Sequence, residues 1–117
     1  MSIVLQLKSI LGSDAVLTSA ADIAAHVQDW RGRYRGNASC VVLPSTTEQV
    51  AAAVRVCADH AVPIVAQGGN TSLCEGAVPR AAEPASIVIN LRRMRRVRSV
   101  DVANNSIEVE AGCVLAD

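Results

Sequence analysis

Gly68, Gly69 and Gly76 stand in the run Gln67-Gly68-Gly69-Asn70-Thr71-Ser72-Leu73-Cys74-Glu75-Gly76-Ala77-Val78-Pro79, directly after the apolar stretch Pro63-Ile64-Val65-Ala66. Glycines without a Cβ let successive main-chain N–H groups converge on an oxyanion, and the Thr71 and Ser72 hydroxyls add donors at the same place. The chemistry this favours is the binding of a phosphorylated cofactor. The loop lacks the Gly-Lys-Ser/Thr ending of nucleoside-triphosphate loops, and its glycines miss the G-x-G-x-x-G spacing of the dinucleotide fold. A long turn that needs positive φ at its glycines is the plain alternative.

A loop of this kind must be delivered by a strand. Ser39 to Leu43 is a short apolar run that reads as a buried strand ended by Pro44, and Ile64 to Ala66 reads as the strand that feeds the glycines. Between them, Ser45 with Glu48 three residues later forms a capping-box pattern, opening a helix that carries Val50, Val54 and Cys57. Strand, helix, strand favours parallel pairing. Further along, Ile87-Val88-Ile89 and Val97 to Val100 read as strands, and Asn104-Asn105 marks a turn. Ile107, Val109 and Ala111 then alternate with polar residues, as in a strand with one wet face.

Upstream, Ile3, Leu7, Ile10 and Leu11 recur at helical spacing and Gly12 follows as a stop, so residues 2–11 read as an amphipathic helix. Ala20 to Trp30 carries a second helical pattern, with Thr18 and Ser19 as caps. Arg31 to Asn37 reads as a loop. The expected fold class is α+β, a small mixed β-sheet flanked by helices.

Other chemistry-bearing residues have simpler readings. The four cysteines are far apart, with no Cys-x-x-Cys pair, and no histidine stands at zinc-ligand spacing. Cys40, Cys57 and Cys113 read as small core residues, and Cys74 as an exposed, reactive thiol. His26 and His60 read as surface or helix-end residues, and Asp29, Glu48 and Asp101 as cap or turn residues. No catalytic acid or base is nominated. The arginines at 92, 93, 95, 96 and 98 suggest a basic surface, but aromatics for base stacking are not interleaved with them.

With 117 residues the chain can build one core, but not a cofactor domain plus a substrate domain. It has no Phe, so that core must be assembled from Ala, Val, Ile and Leu. A formal charge of zero argues against a general nucleic-acid or anionic-membrane binder. No apolar run approaches membrane-spanning length and no secretory pattern stands at the start, which makes the cytoplasm the default compartment. Residues 111–117 read as a strand end leading into a new helix, so the chain is expected to be the first part of a longer domain.

The glycine loop resembles the pyrophosphate loop of flavoenzymes in the vanillyl-alcohol oxidase and D-lactate dehydrogenase superfamily. Gln67 to Asn70, Gly76-Ala77-Val78-Pro79 and Asn90-Leu91-Arg92-Arg93-Met94 are most similar to the branch with D-2-hydroxyglutarate dehydrogenase and some D-lactate dehydrogenases. Asp29 to Gly36, Val41 to Glu48 and Val109 to Gly112 resemble the family's segments in the same order. Ser72, Cys74 and Glu75 depart from the smaller residues of many relatives, and Ala61 replaces the glycine that usually ends the preceding helix.

The resemblance implies that residues 31–117 are the N-terminal part of an FAD-binding domain of two subdomains, with residues 1–30 a helical segment before it. It implies FAD contacts at Pro44, Gln67, Gly68, Gly69, Asn70, Thr71, Ser72 and Gly76. Asn70 occupies the place where some branches carry a histidine bonded to the flavin, so noncovalent FAD is expected. The implied activity is oxidation of a small D-2-hydroxy acid, with electrons passing to a separate acceptor. On this reading the isolated chain is inactive, its substrate and catalytic residues lying outside these 117. A stand-alone phosphate-binding or interaction module is the alternative.

Overall fold

A computed structural model describes residues 2–29, 31–32, 34–71, 76–81 and 85–114. The order of elements is α1 (Ile3–Leu11), β1 (Val16–Leu17), α2 (Ala20–Ala24), β2 (Ala38–Val42), α3 (Thr47–Asp59), β3 (Ile64–Gln67), β4 (Ser86–Asn90), β5 (Val97–Asp101) and β6 (Ser106–Val109). Four strands form one sheet in the order β1-β2-β4-β3, and β5 pairs with β6 as a separate hairpin. β4 lies parallel to both β2 and β3, while β1 joins β2 antiparallel. The α+β reading with a small mixed sheet is borne out.

The central strands are covered on both faces, as their uninterrupted apolar runs require. Cys40 and Val42 of β2 and Ile87 and Ile89 of β4 point to one side, where Leu7 and Leu11 of α1 and Ala53, Val56 and Cys57 of α3 complete the core. Val41 and Val88 point to the other, against Val27, Ala38 and Leu43. All five β4 residues are buried.

Local chemistry sets the helix ends. The Ser2 hydroxyl accepts from Leu5 N to start α1, and Gly12, at φ 93°, ends it as the sequence suggests. α3 begins one residue later than the Ser45–Glu48 pattern predicts. Its cap is Thr46, whose Oγ1 accepts from Gln49 N, while Gln49 Oε1 reaches past the cap to accept from Ser45 N, so Thr46 and Gln49 supply the two capping bonds in place of Ser45 and Glu48. At its other end Ala61 takes the left-handed conformation, φ 54°, that glycine adopts more readily.

α2 stops at Ala24 and does not run to residue 30. The imidazole Nδ1 of His26 takes the Asp22 carbonyl at 2.7 Å, and His26 N bonds to Ile23 O in a tighter turn, so the helical ladder ends. The chain then folds back on itself through an Asp29 turn: Asp29 N donates to Tyr34 O, and Tyr34 N donates to Asp29 Oδ1. Trp30 lies outside the described residues.

The hairpin corrects a second expectation. A register shift in β5 places Val97 opposite Val109 while Val100 faces Ile107, so four aliphatic side chains share one face. That face is open as well as the polar one, with Val100 64% and Ile107 59% exposed. Cys113 is corrected too. It is half-buried beside the Arg96 carbonyl and is no part of the two core clusters, whereas Cys40 and Cys57 are fully buried as expected.

Candidate functional site

The ends of β2, β4 and β3 all deliver loops to one edge of the sheet, the carboxyl edge where parallel α/β folds place ligands. From β3, an outer strand of the sheet, comes the glycine run. Gly68 and Gly69 are exposed, and a Cβ built on Gly68 would meet no atom within 4 Å. At Gly69 the nearest atom would be Thr71 Cγ2 at 3.9 Å, and Gly76 is as open as Gly68. Neither Gly68, Gly69 nor Gly76 has positive φ, which corrects the turn-geometry alternative; the left-handed residue of the run is Asn70, at φ 56°. These glycines are therefore not required by the fold around them. They leave the main chain uncovered toward solvent, where a ligand can approach it.

Beneath the loop lies a closed ring of hydrogen bonds. Gln67, the last residue of β3, is paired with Asn90, the last of β4. The Gln67 amide donates to His26 O at 2.8 Å and Ala77 O at 2.9 Å, and its oxygen accepts from Asn90 Nδ2 at 2.8 Å. Asn90 also donates to Gly68 O at 3.3 Å, and its Oδ1 accepts from Arg92 N at 3.0 Å. Arg92 Nη1 closes the ring on His26 Nε2 at 2.6 Å. Every polar atom of the Gln67 carboxamide is used, so this side chain ties the segment after α2 (His26) to the loop's far end (Ala77) and, through Asn90, to its first turn.

Asn70 is committed in the same manner, donating from Nδ2 to Gln28 O at 2.8 Å. The loop is thus tied by side chains to the segment after α2, and among its described residues Gly68, Gly69, Thr71 and Gly76 are exposed. Thr71 is exposed, Ser72 lies outside the described residues, and so do Cys74 and Glu75. Pro44 is fully buried at the end of β2 and packs inside the protein.

A further constraint comes from Gly36. A Cβ there would fall on the Pro79 carbonyl, and Gly36 N donates to Val27 O at 2.7 Å, so only glycine lets the two chains cross. Pro79 ends the run that begins at Gln67. The sequence marked Gly36 within a motif but gave it no role, and His26, Gln28 and Asn90 were missed as supports. Their one available signal was position: Gln67 and Asn90 are polar residues at the ends of two apolar strands that must lie side by side.

Burial also sets the thiol chemistry. Desolvation, with a smaller contribution from Cys57 and against an opposing one from the Lys8 cation, pushes the Cys40 thiol up from 9.0 to about 11, and burial raises Cys57 as well. Neither is a nucleophile at neutral pH.

Among the described residues no helix is long and apolar enough to cross a membrane. The chain is 38% identical over 112 residues to a D-2-hydroxyglutarate–pyruvate transhydrogenase of Saccharomyces cerevisiae, covering 94% of this chain and 22% of that protein. It is 32% identical to a mitochondrial D-2-hydroxyglutarate dehydrogenase of Arabidopsis thaliana, covering 92% of this chain and 19% of the relative. The chain therefore spans about a fifth of the length of these curated relatives. Its fold matches that of a solved alkyldihydroxyacetonephosphate synthase, with a TM-score of 0.82 at 22% identity over 95% of this chain and 23% of the other. Residues 38–117 match the family described as FAD binding domain, and by this match and the relatives' likeness the chain belongs to that flavoenzyme family.

Proposed function

We propose that the full-length protein is a flavin-dependent oxidoreductase that oxidises a small D-2-hydroxy acid of the D-lactate or D-2-hydroxyglutarate type, and that this chain supplies the part of the site receiving the FAD pyrophosphate. The observation that carries the reading is the glycine run itself. Gly68, Gly69 and Gly76 present main chain with open space where a Cβ would stand, and supporting side chains pin the loop from beneath. The residues present fit a phosphate-bearing cofactor.

In this assignment Gly68, Gly69, Thr71 and Gly76 face the cofactor, with Gln67, Asn70 and Pro44 holding the loop and strand ends in place; Ser72, outside the described residues, stays a proposed FAD contact. The redox chemistry comes from the flavin when it is bound. The chain's own task is to bind and orient, through N–H donors whose positions are fixed before the ligand arrives. Asn70 offers an amide whose nitrogen is already bonded to Gln28 O, which favours noncovalent attachment.

We take residues 31–117 as the first part of the FAD-binding domain and 1–30 as the segment that precedes it. The relatives' names support the 2-hydroxy acid class, and a separate electron acceptor completes the turnover. We keep the cytoplasm as the compartment; co-sedimentation of the tagged full-length protein with mitochondria, the location in the Arabidopsis relative's name, would overturn it.

The deciding experiment is Gly69→Val in the full-length protein. The space at Gly69 accepts a larger side chain without disturbing the fold, but on this reading a β-branched side chain there blocks the cofactor's approach to the main chain. The expected result is loss of flavin absorbance with an unchanged circular dichroism spectrum. Unchanged flavin occupancy would refute the assigned role, and a wild-type protein with no flavin and no affinity for it would refute the oxidoreductase reading.

A further inference from the structure

Arg92, Arg93 and Arg95, which follow β4, surround a cavity of about 450 Å³ together with Ser45, which follows β2. The acidic contacts of this basic stretch lie elsewhere. Among the described residues, Glu110 pairs with Arg96 and Arg98, and the three cavity arginines have no carboxylate within ion-pair distance. Arg92 donates to the His26 imidazole and Arg93 to the Asp14 carbonyl at 3.2 Å, contacts that orient the guanidinium groups without neutralising them. All four lining residues are exposed, so the concavity is open, and the three like charges around it repel one another through water.

A dianion relieves that repulsion. The planar fork of a guanidinium matches the oxygens of a phosphate in pairs, and Ser45 brings a hydroxyl to the same wall. The volume exceeds what one oxyanion fills and lies in the range of small-molecule sites. The geometry points to a second anion site, for a phosphoryl group carried on a small molecule, distinct from the glycine loop. None of Gly68 to Thr71 lines the cavity, and those residues follow a different strand. A polynucleotide is the poorer fit, because stacking aromatics are missing from the cavity wall.

The test is calorimetric titration of the flavin-loaded full-length protein with inorganic pyrophosphate at low ionic strength. Expected is saturable binding that weakens by about tenfold or more in the double variant Arg93→Ala with Arg95→Ala. Should that variant fail to fold, Arg95→Gln alone carries the test. Three results would overturn the site: no saturable binding to the loaded protein, binding that emerges only after the flavin is stripped, or equal binding by the arginine variants. The second would mean that the cavity belongs to the cofactor. A short RNA that binds through the same arginines more tightly than pyrophosphate would also overturn it, in favour of a polynucleotide surface. Flavin content is read separately by absorbance, so a protein that never holds flavin yet binds pyrophosphate through Arg93 and Arg95 would keep this site and lose only the oxidoreductase reading.

Discussion

Arg92 Nη1 lies 2.6 Å from His26 Nε2, and the opposite ring nitrogen of His26 lies 2.7 Å from the Asp22 carbonyl. A carbonyl only accepts and a guanidinium only donates, so the two contacts fit the tautomer that donates from Nδ1 and accepts at Nε2. The arginine is thereby held by a partner that leaves its charge intact. Through Asn90 and Gln67 the same pair reaches the first turn of the glycine loop.

Gln67→Glu tests that ring with almost no change of shape. A carboxylate cannot donate to the His26 and Ala77 carbonyls, so two acceptors lose their donors and a charge is buried among them. The expected cost is about 2–4 kcal/mol. Urea unfolding of the isolated chain measures it, and a loss below about 1 kcal/mol would show that the ring adds little.

Ala61→Gly should stabilise the chain. Ala61 sits at φ 54°, where a Cβ is disfavoured, and glycine removes that strain at some cost in unfolded-state entropy. A net gain of about 1 kcal/mol is expected. A lower midpoint in urea would contradict it.

Stability should fall in alkali. Burial raises the Cys40 thiol from 9.0 to about 11, so the unfolded chain loses its proton first as the pH rises. The contribution is intact below pH 9 and lost between about 9 and 11, on the order of 3 kcal/mol. Cys40→Ala should flatten this part of the pH profile while lowering stability at pH 7. A wild-type midpoint that is constant from pH 8 to about 11 would count against the assignment.

Gly36→Ala should be more damaging than its one methyl suggests, because the added atom falls on the Pro79 carbonyl. Main chain must move, and with it the end of the glycine run. Loss of about 2 kcal/mol or more is expected, along with reduced flavin occupancy in the full-length protein. Wild-type values for both would show that the two segments can separate freely.

The isolated 117 residues should bind FAD weakly and leave D-lactate and D-2-hydroxyglutarate unoxidised. Gly68, Gly69 and Thr71 are exposed, so water competes for their donors and screens their charge interactions. Submicromolar FAD affinity by calorimetry would sink this prediction.

The strands and the glycine loop were legible because continuous apolar runs such as Ile87-Val88-Ile89 demand burial on both faces. α2 was misread because the Asp22 carbonyl goes to a side chain, a choice invisible to periodicity. His26 illustrates the same limit: its partners come from residues as distant as Gln67 and Arg92, and only the parallel pairing of β3 with β4 brings those together. Alternation identified β6 correctly but not what lies over it, since Ile107 looks the same in sequence whether its face is covered or open. Cys113 followed from apolar neighbours in the chain, which are not its neighbours in space.

The strand order β1-β2-β4-β3 has a consequence in time as well as in space. β4 is made after β3 but sits between it and β2, so neither parallel pair can form until residues 86–90 have been synthesised. Until then β3 has no neighbour to bond with, and the Gln67 amide lacks Asn90. A chain that ends before Ser86 therefore leaves β3 and the Gln67 side chain without these partners even with α1 and α3 formed, and residues 86–90 supply both at once.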